Sequence, residues 1–342
     1  MRQEQHARIG LLVAAFSALT FSTSGALGTS LIDAGWSPTA AVATRITIAA
    51  LVLAGPAAWS LRGRWHTLRR EAGQVIGYGL FAVAGCQLFY FYALQRLPVG
   101  VALMLEYQGI VFVVLWMWLR HGHRPHPLTL AGSAAALAGL VLVLGVLGNA
   151  HLNLIGALYG LGAAACLAAY FVLGSHISSD LPPIALASTG MGVGAITLLA
   201  LGGAGVLPMH VRLAPVNFAG HHVSWLVPVA GLSLVAAVLA YVAGIAAARM
   251  LGAKLASFVG LAEVVFAIGI AWLLLGQLPT AVQLGGGALI VAGIALVRLD
   301  ELRTPAAVHT PPGIDPPLVT NPPTASSAPL LTATRPPQDQ LG

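Results

Sequence analysis

Apolar stretches of about 20 residues recur from end to end of this 342-residue chain, separated by short polar or Pro/Gly breaks. A helical run of that length matches the hydrocarbon thickness of a bilayer, and backbone placed in hydrocarbon must satisfy its own hydrogen bonds. The runs fall near 9–31, 38–60, 73–94, 98–119, 128–147, 154–175, 183–206, 224–247, 253–275 and 281–298. Stretches such as LAGLVLVLGVL lack the alternation of a membrane β-strand, so the chain reads as an all-α integral membrane protein with ten transmembrane helices. Composition agrees: 58% of residues are hydrophobic and 8% charged, where a soluble domain carries about a quarter charged residues. A formal charge of +6 does not imply nucleic acid, because the cations are spread between apolar runs instead of gathering on one face. The expected surroundings are a lipid bilayer.

The segment Met1–Arg8 and the apolar run after it could be a signal peptide, but the length of that run and its Ser17, Thr20, Ser22, Thr23 and Ser24 fit a first spanning helix better. At the other end, Thr304–Gly342 holds ten of the 21 prolines and no long apolar run, the composition of a disordered tail. A Pro-rich docking segment is the alternative, without a paired basic or aromatic signature to support it. Cys86 and Cys166 both lie within apolar runs, which argues against a disulfide framework.

Cations are kept on the cytoplasmic side of a membrane, and with ten helices both termini share a side. Placing them inside puts Arg2, Arg8, Arg62, Arg64, Arg69, Arg70, Arg120, Arg124, Arg249, Lys254, Arg298 and Arg303 in the cytoplasm and leaves Arg96 and Arg212 outside. The expectation is a multi-pass protein of the cell (plasma) membrane with both termini cytoplasmic. The halves also correspond: Arg96 matches Arg249, Gly132 matches Gly285, and Gly122-x-x-Pro125 matches Gly276-x-x-Pro279. Each half has five helices, so copies of one unit must enter the membrane from opposite sides, as in the inverted repeats of secondary transporters. The expected organisation is a cytoplasmic segment 1–8, a first repeat 9–148, a second repeat 152–299 and the tail 304–342.

Two stretches carry a family resemblance: FYFYALQRLPVGVALMLEY, ending at Tyr107, and LGAKLASFVGLAEVVFAIGIAWLLLGQLPTAVQLGGGALIVAGIALV, starting at Leu251. With them the halves resemble the paired EamA domains of the drug/metabolite transporter superfamily over about residues 9–299. The LEY in the fourth helix is similar to the threonine/homoserine exporter branch. The resemblance implies a ten-helix bundle, a cavity between the halves, and movement of small polar metabolites by alternating access. Two places depart from the family pattern: where it often has Pro in the fourth and ninth helices stand Ile110 and Glu263, and where it often has Glu in the following turns stand His123 and Gln277.

A charge at the bilayer centre costs on the order of 3 kcal/mol or more, so ionisable residues there are the first functional candidates. Three stand clear of the helix ends: Arg45, Glu106 and Glu263. The two acids lie on matching helices of the repeats, nearly but not strictly equivalent, since Glu263 aligns with Ile110. Glu106 and Glu263 are expected to bind a substrate amino group or a coupling proton. A structural pairing with Arg45 or a backbone contact is the alternative. Arg45 could meet a carboxylate, from Glu106 or from an amino-acid substrate, or snorkel to the interface. Gln87, Tyr90, Tyr107, Gln108, Tyr170 and Tyr241 supply the sparse hydrogen-bonding groups that a cavity lining needs, and packing is the alternative for each. Ser17, Thr20, Ser22 and Ser24 of the first helix read as packing residues, with lining of the path as the alternative. No histidine pair has metalloprotease spacing and no phosphate-binding loop follows a strand, so no metal, no resident cofactor and no ATP hydrolysis are expected.

The sequence therefore points to a secondary transporter, an exporter of an amino acid or similar polar metabolite, with proton coupling left open. Two other classes stay open. A membrane-embedded enzyme would need convergent catalytic groups beyond two acids. A receptor or assembly subunit would work through the tail.

Overall fold

The computed structural model describes residues 2–122, 125–143, 153–177, 180–251, 256 and 259–303. The expected tail, His123, Arg124, Lys254 and part of the run expected for the ninth helix lie outside the described residues. Ten helices carry the apolar runs among the described residues: α1 Arg2–Asp33, α2 Pro38–Ser60, α3 Ala72–Leu94, α4 Val99–Arg120, α5 Pro127–Val143, α6 Leu154–His176, α7 Pro183–Gly203, α8 Leu226–Leu251, α9 Ala262–Leu275 and α10 Ala281–Arg303. Eight are long and apolar enough to cross a bilayer, and α5 and α9 are shorter. The ends follow local chemistry. The Ser37 hydroxyl accepts from the Ala40 N–H (3.2 Å) with Pro38 in the first turn, and Asn153 accepts from the Gly156 N–H (2.9 Å). The sequence-matched Gly122 and Gly276 close α4 and α9, both at φ +67°, a left-handed backbone that favours glycine.

An all-α reading misses one small feature. The α7–α8 connection folds into an antiparallel hairpin, β1 Val216–Phe218 with β2 His221–Val223, the turn made by Ala219 and Gly220 at positive φ. This connection clasps the α1–α2 corner. The Trp36 indole donates to the Arg212 carbonyl (2.9 Å), and the Ser37 N–H donates to the His210 carbonyl (2.9 Å).

The packing has the symmetry of a two-fold repeat. Helix α1 lies against α8 and α9, and α6 lies against α3 and α4. Helix α2 packs on its counterpart α7, and α5 on its counterpart α10. Exchanging the halves reproduces each of these pairings. The direction is inverted, as the α5–α10 seam shows. A Cβ built on Gly132 would lie 2.5 Å from the Gly293 carbonyl oxygen, and one on Gly139 would lie 2.5 Å from that of Gly286. Ascending positions on one helix meet descending positions on the other, so the two run antiparallel. Gly286, not the sequence-matched Gly285, takes part in this contact; Gly285 faces open space.

Two further irregularities recur in both copies. Helices α3 and α8 each contain a wide π-type stretch, Tyr78–Gly85 and Gly231–Leu239. Helix α4 is interrupted at Tyr107–Gln108, where the Gln108 N–H reaches back only to Leu105 and the Ile110 N–H only to Tyr107. Helix α9 is preceded by helical residues and a turn at Leu261, the matching place. Both interruptions form without the proline that the family pattern puts there. Such irregular backbone at membrane depth is tolerated where it lines a cavity.

Candidate functional site

The two interruptions and the π stretch of α3 border one cavity of about 970 Å³ between the halves. At its deep end it reaches Gly25, Arg45, Tyr90 and Leu103. At its other end it reaches Gly174, Pro183, Arg249 and Arg298, which sit where α6, α8 and α10 end and α7 begins. That second end is the basic one. Beyond the deep end α1 closes against α3, where a Cβ at Gly28 would sit 2.7 Å from the Phe91 ring. The cavity therefore opens toward the basic end and is shut at the opposite end.

Eight of the nine residues singled out from sequence line this space: Arg45, Gln87, Tyr90, Glu106, Tyr107, Tyr170, Tyr241 and Glu263. Gln108 does not. Its side chain is fully buried away from the cavity and donates to the Ala136 carbonyl on α5 (3.3 Å). The helical step explains the difference, because successive side chains diverge by about 100°. Glu106 turns toward α3, Tyr107 toward α9 and Gln108 toward α5.

Each acid holds one identified donor. Glu106 Oε1 accepts from the Cys86 thiol of α3 (3.2 Å). Glu263 Oε2 accepts from the Tyr107 hydroxyl across the halves (3.0 Å), and the Gly260 carbonyl lies 3.4 Å from the same hydroxyl. Glu263 also occupies the first turn of α9, where the helix dipole favours a negative charge.

Arg45 neither snorkels nor pairs directly with an acid. It is 4% exposed, and it donates to Ser24 Oγ on α1 (2.8 Å) and to the Ala236 carbonyl within the π stretch of α8 (2.8 Å). No carboxylate lies within ion-pair distance of it among the described residues. Its Nε and the Oε1 of Gln87 are buried without hydrogen-bond partners, one a donor and the other an acceptor on the cavity wall.

Sequence reasoning left five contributors out of the site. Cys86 was considered only for disulfides; both cysteines are free, and Cys86 touches Glu106. Ser17 and Ser24, read as packing residues, line the cavity; Ser17 donates to the Ala240 carbonyl (2.8 Å) and Ser24 accepts from Arg45. Ser22 also lines the cavity while bonding to its own helix backbone, and Thr20 and Thr23 bond to that backbone, as the packing reading expects. Arg298, assigned to a cytoplasmic helix end, lines the cavity with its guanidinium 4.9 Å from the centre of the Phe171 ring.

Comparison with known proteins fits this architecture. A protein of known crystal structure superposes with a TM-score of 0.57 at 22% identity, over 87% of this chain and 99% of that one, a likeness of fold. The threonine/homoserine exporter RhtA from two strains of Salmonella typhimurium is 30% identical over 146 residues, 42% of this chain. The match spans 46% of the length of these curated relatives. The model of the EamA-like transporter family matches residues 8–145 and again 154–299, the two five-helix copies. These two matches cover most of the chain, which is a multi-pass membrane protein and belongs to the EamA-like transporter family.

Proposed function

We propose that the chain is a secondary transporter of the cell membrane that exports an amino acid or a similar zwitterionic metabolite by alternating access. The observation that carries this reading is the combination of charges that lines one cavity. A buried guanidinium, without a carboxylate partner among the described residues, stands in the same space as two half-buried carboxylates. A zwitterion complements that set: its carboxylate goes to Arg45 and its ammonium to Glu106, whose thiol donor is the weaker of the two that hold the acids. Glu263, held by a phenol, carries the coupling proton. The basic end faces the cytoplasm under the positive-inside rule, so the described state is open to the cytoplasm and loads solute for export. The short exporter match points in the same direction. Rocking of the halves about the antiparallel α2–α7 and α5–α10 contacts then closes the basic end and opens the other. Interruptions in the matching helices at the site provide the places where backbone geometry changes.

The test is uptake of the twenty amino acids by purified protein in proteoliposomes, beside analogues that lack either the amine or the carboxylate. The reading expects saturable uptake of at least one amino acid, lost for both analogues and abolished in Arg45→Met and Glu106→Gln. Uptake of the amine-free analogue at the parent rate contradicts it.

A further inference from the structure

The Cys86 thiol has one proton and two acceptors within reach. Glu106 Oε1 on α4 lies 3.2 Å away and the Ala163 carbonyl on α6 lies 3.6 Å away. Cys86 is 5% exposed, lines the cavity, and follows directly on the π stretch of α3, so its position depends on that local rewinding of the helix. Among the described residues it is the donor to Glu106. The second acid shows the same arrangement by different chemistry: the Tyr107 hydroxyl has Glu263 at 3.0 Å and the Gly260 carbonyl at 3.4 Å.

We infer that Cys86 is the positioning residue of Glu106: its thiol holds the free carboxylate toward the cavity and passes to the Ala163 carbonyl when a cation engages the acid. The inference rests on the reading of Glu106 as the amine site. A carboxylate is the stronger acceptor while it is charged and unpaired, so the thiol sits there in the empty cavity. An arriving ammonium takes up the carboxylate lone pairs and leaves the neutral carbonyl as the better partner. A thiol suits this handover, since a weak donor releases the acid at small cost whereas a hydroxyl competes with the ligand. The carbonyl that gains the proton belongs to α6, in the other copy, so occupancy at Glu106 adds a bond between the copies.

The infrared S–H stretch tests this, with methylammonium chloride as the probe and a Cys166→Ala background to leave a single thiol. The expected result is a low-frequency band in the probe-free protein that moves up in Glu106→Ala. Methylammonium should move it the same way in the parent and not in Glu106→Ala. A band indifferent to both overturns the inference, as does one that moves in Glu106→Ala while methylammonium leaves it in place. Transport supplies a second arm. Cys86→Ala should raise KM for the amino acid found in the uptake panel by about threefold to tenfold with maximal rate retained, and Cys86→Ser should not restore the parent KM, because its hydroxyl competes with the ligand for the acid. An unchanged KM in Cys86→Ala counts against the positioning role. Uptake that survives Glu106→Gln sinks the functional reading itself, whereas uptake lost in Glu106→Gln with an immobile S–H band sinks the positioning role alone.

Discussion

A single methyl group placed at Gly139 should separate the α5–α10 seam. The Cβ of Gly139→Ala would stand 2.5 Å from the Gly286 carbonyl oxygen and 2.8 Å from Ile290 Cγ1, whereas ordinary contact begins at 3.4 Å. Backbone cannot step aside as a flexible side chain can, so the helices must part by about 1 Å along this stretch. A gap of that size forfeits roughly a quarter to a half of each dispersion contact across it, and overpacking of this kind costs about 1–3 kcal/mol. Against that stands a helix-propensity gain of about 1 kcal/mol for Gly→Ala, so the net loss should be up to about 2 kcal/mol. Gly285→Ala is the matched control, with the same propensity gain and nothing within 4 Å of its Cβ. Unfolding in mixed micelles by denaturing detergent should show Gly139→Ala less stable than the parent and Gly285→Ala equal or more stable. Adding Gly132→Ala to Gly139→Ala should cost less than the separate losses combined, because helices already parted have less contact left to lose. If the two single variants behave alike, the backbone contact at Gly139 is not a stability determinant and the antiparallel seam is wrong as described.

Three other outcomes follow from the site. Arg45→Lys offers an ammonium in place of a fork that spans Ser24 and Ala236, so it should lose one charged hydrogen bond, about 1.5–3 kcal/mol, and bind the zwitterion at least tenfold more weakly in equilibrium binding; parent-like affinity would remove Arg45 from the site. Tyr107→Phe removes the donor on Glu263, and the acceleration of uptake by an imposed proton gradient should weaken while gradient-free exchange persists; an unchanged gradient response would separate Tyr107 from coupling. Deleting Thr304–Gly342 should leave flux in proteoliposomes at the parent level, and its loss would favour a tail-dependent receptor or assembly role.

Much of the architecture is legible in the sequence because the bilayer imposes it. Apolar run length marks the helices, and the matched glycines Gly122 and Gly276 reappear as equivalent left-handed helix ends. What the pattern does not carry is the rotation of each helix about its axis. In a soluble helix the polar face reveals it, but here lipid-facing and core-facing sides are both apolar. Gln108 beside Tyr107 therefore reads as a lining residue when it points to α5, and Ser24 reads as packing when it holds Arg45. The interruptions at Tyr107–Gln108 and Leu261 were hidden for a related reason, since neither has the proline that usually announces one. Cys86 had no sequence signal at all; its role depends on the π stretch before it, which sets where its thiol falls relative to α4.

Counterflow in proteoliposomes of purified protein tests the central claim most directly. Vesicles loaded with the unlabelled amino acid identified in the uptake panel are diluted into a trace of labelled solute. The account predicts a transient overshoot of label, absent in Glu106→Gln because the ammonium has lost its carboxylate, and retained in Glu263→Gln because exchange needs no net proton movement. An overshoot of parent size in Glu106→Gln contradicts the assignment of the substrate site.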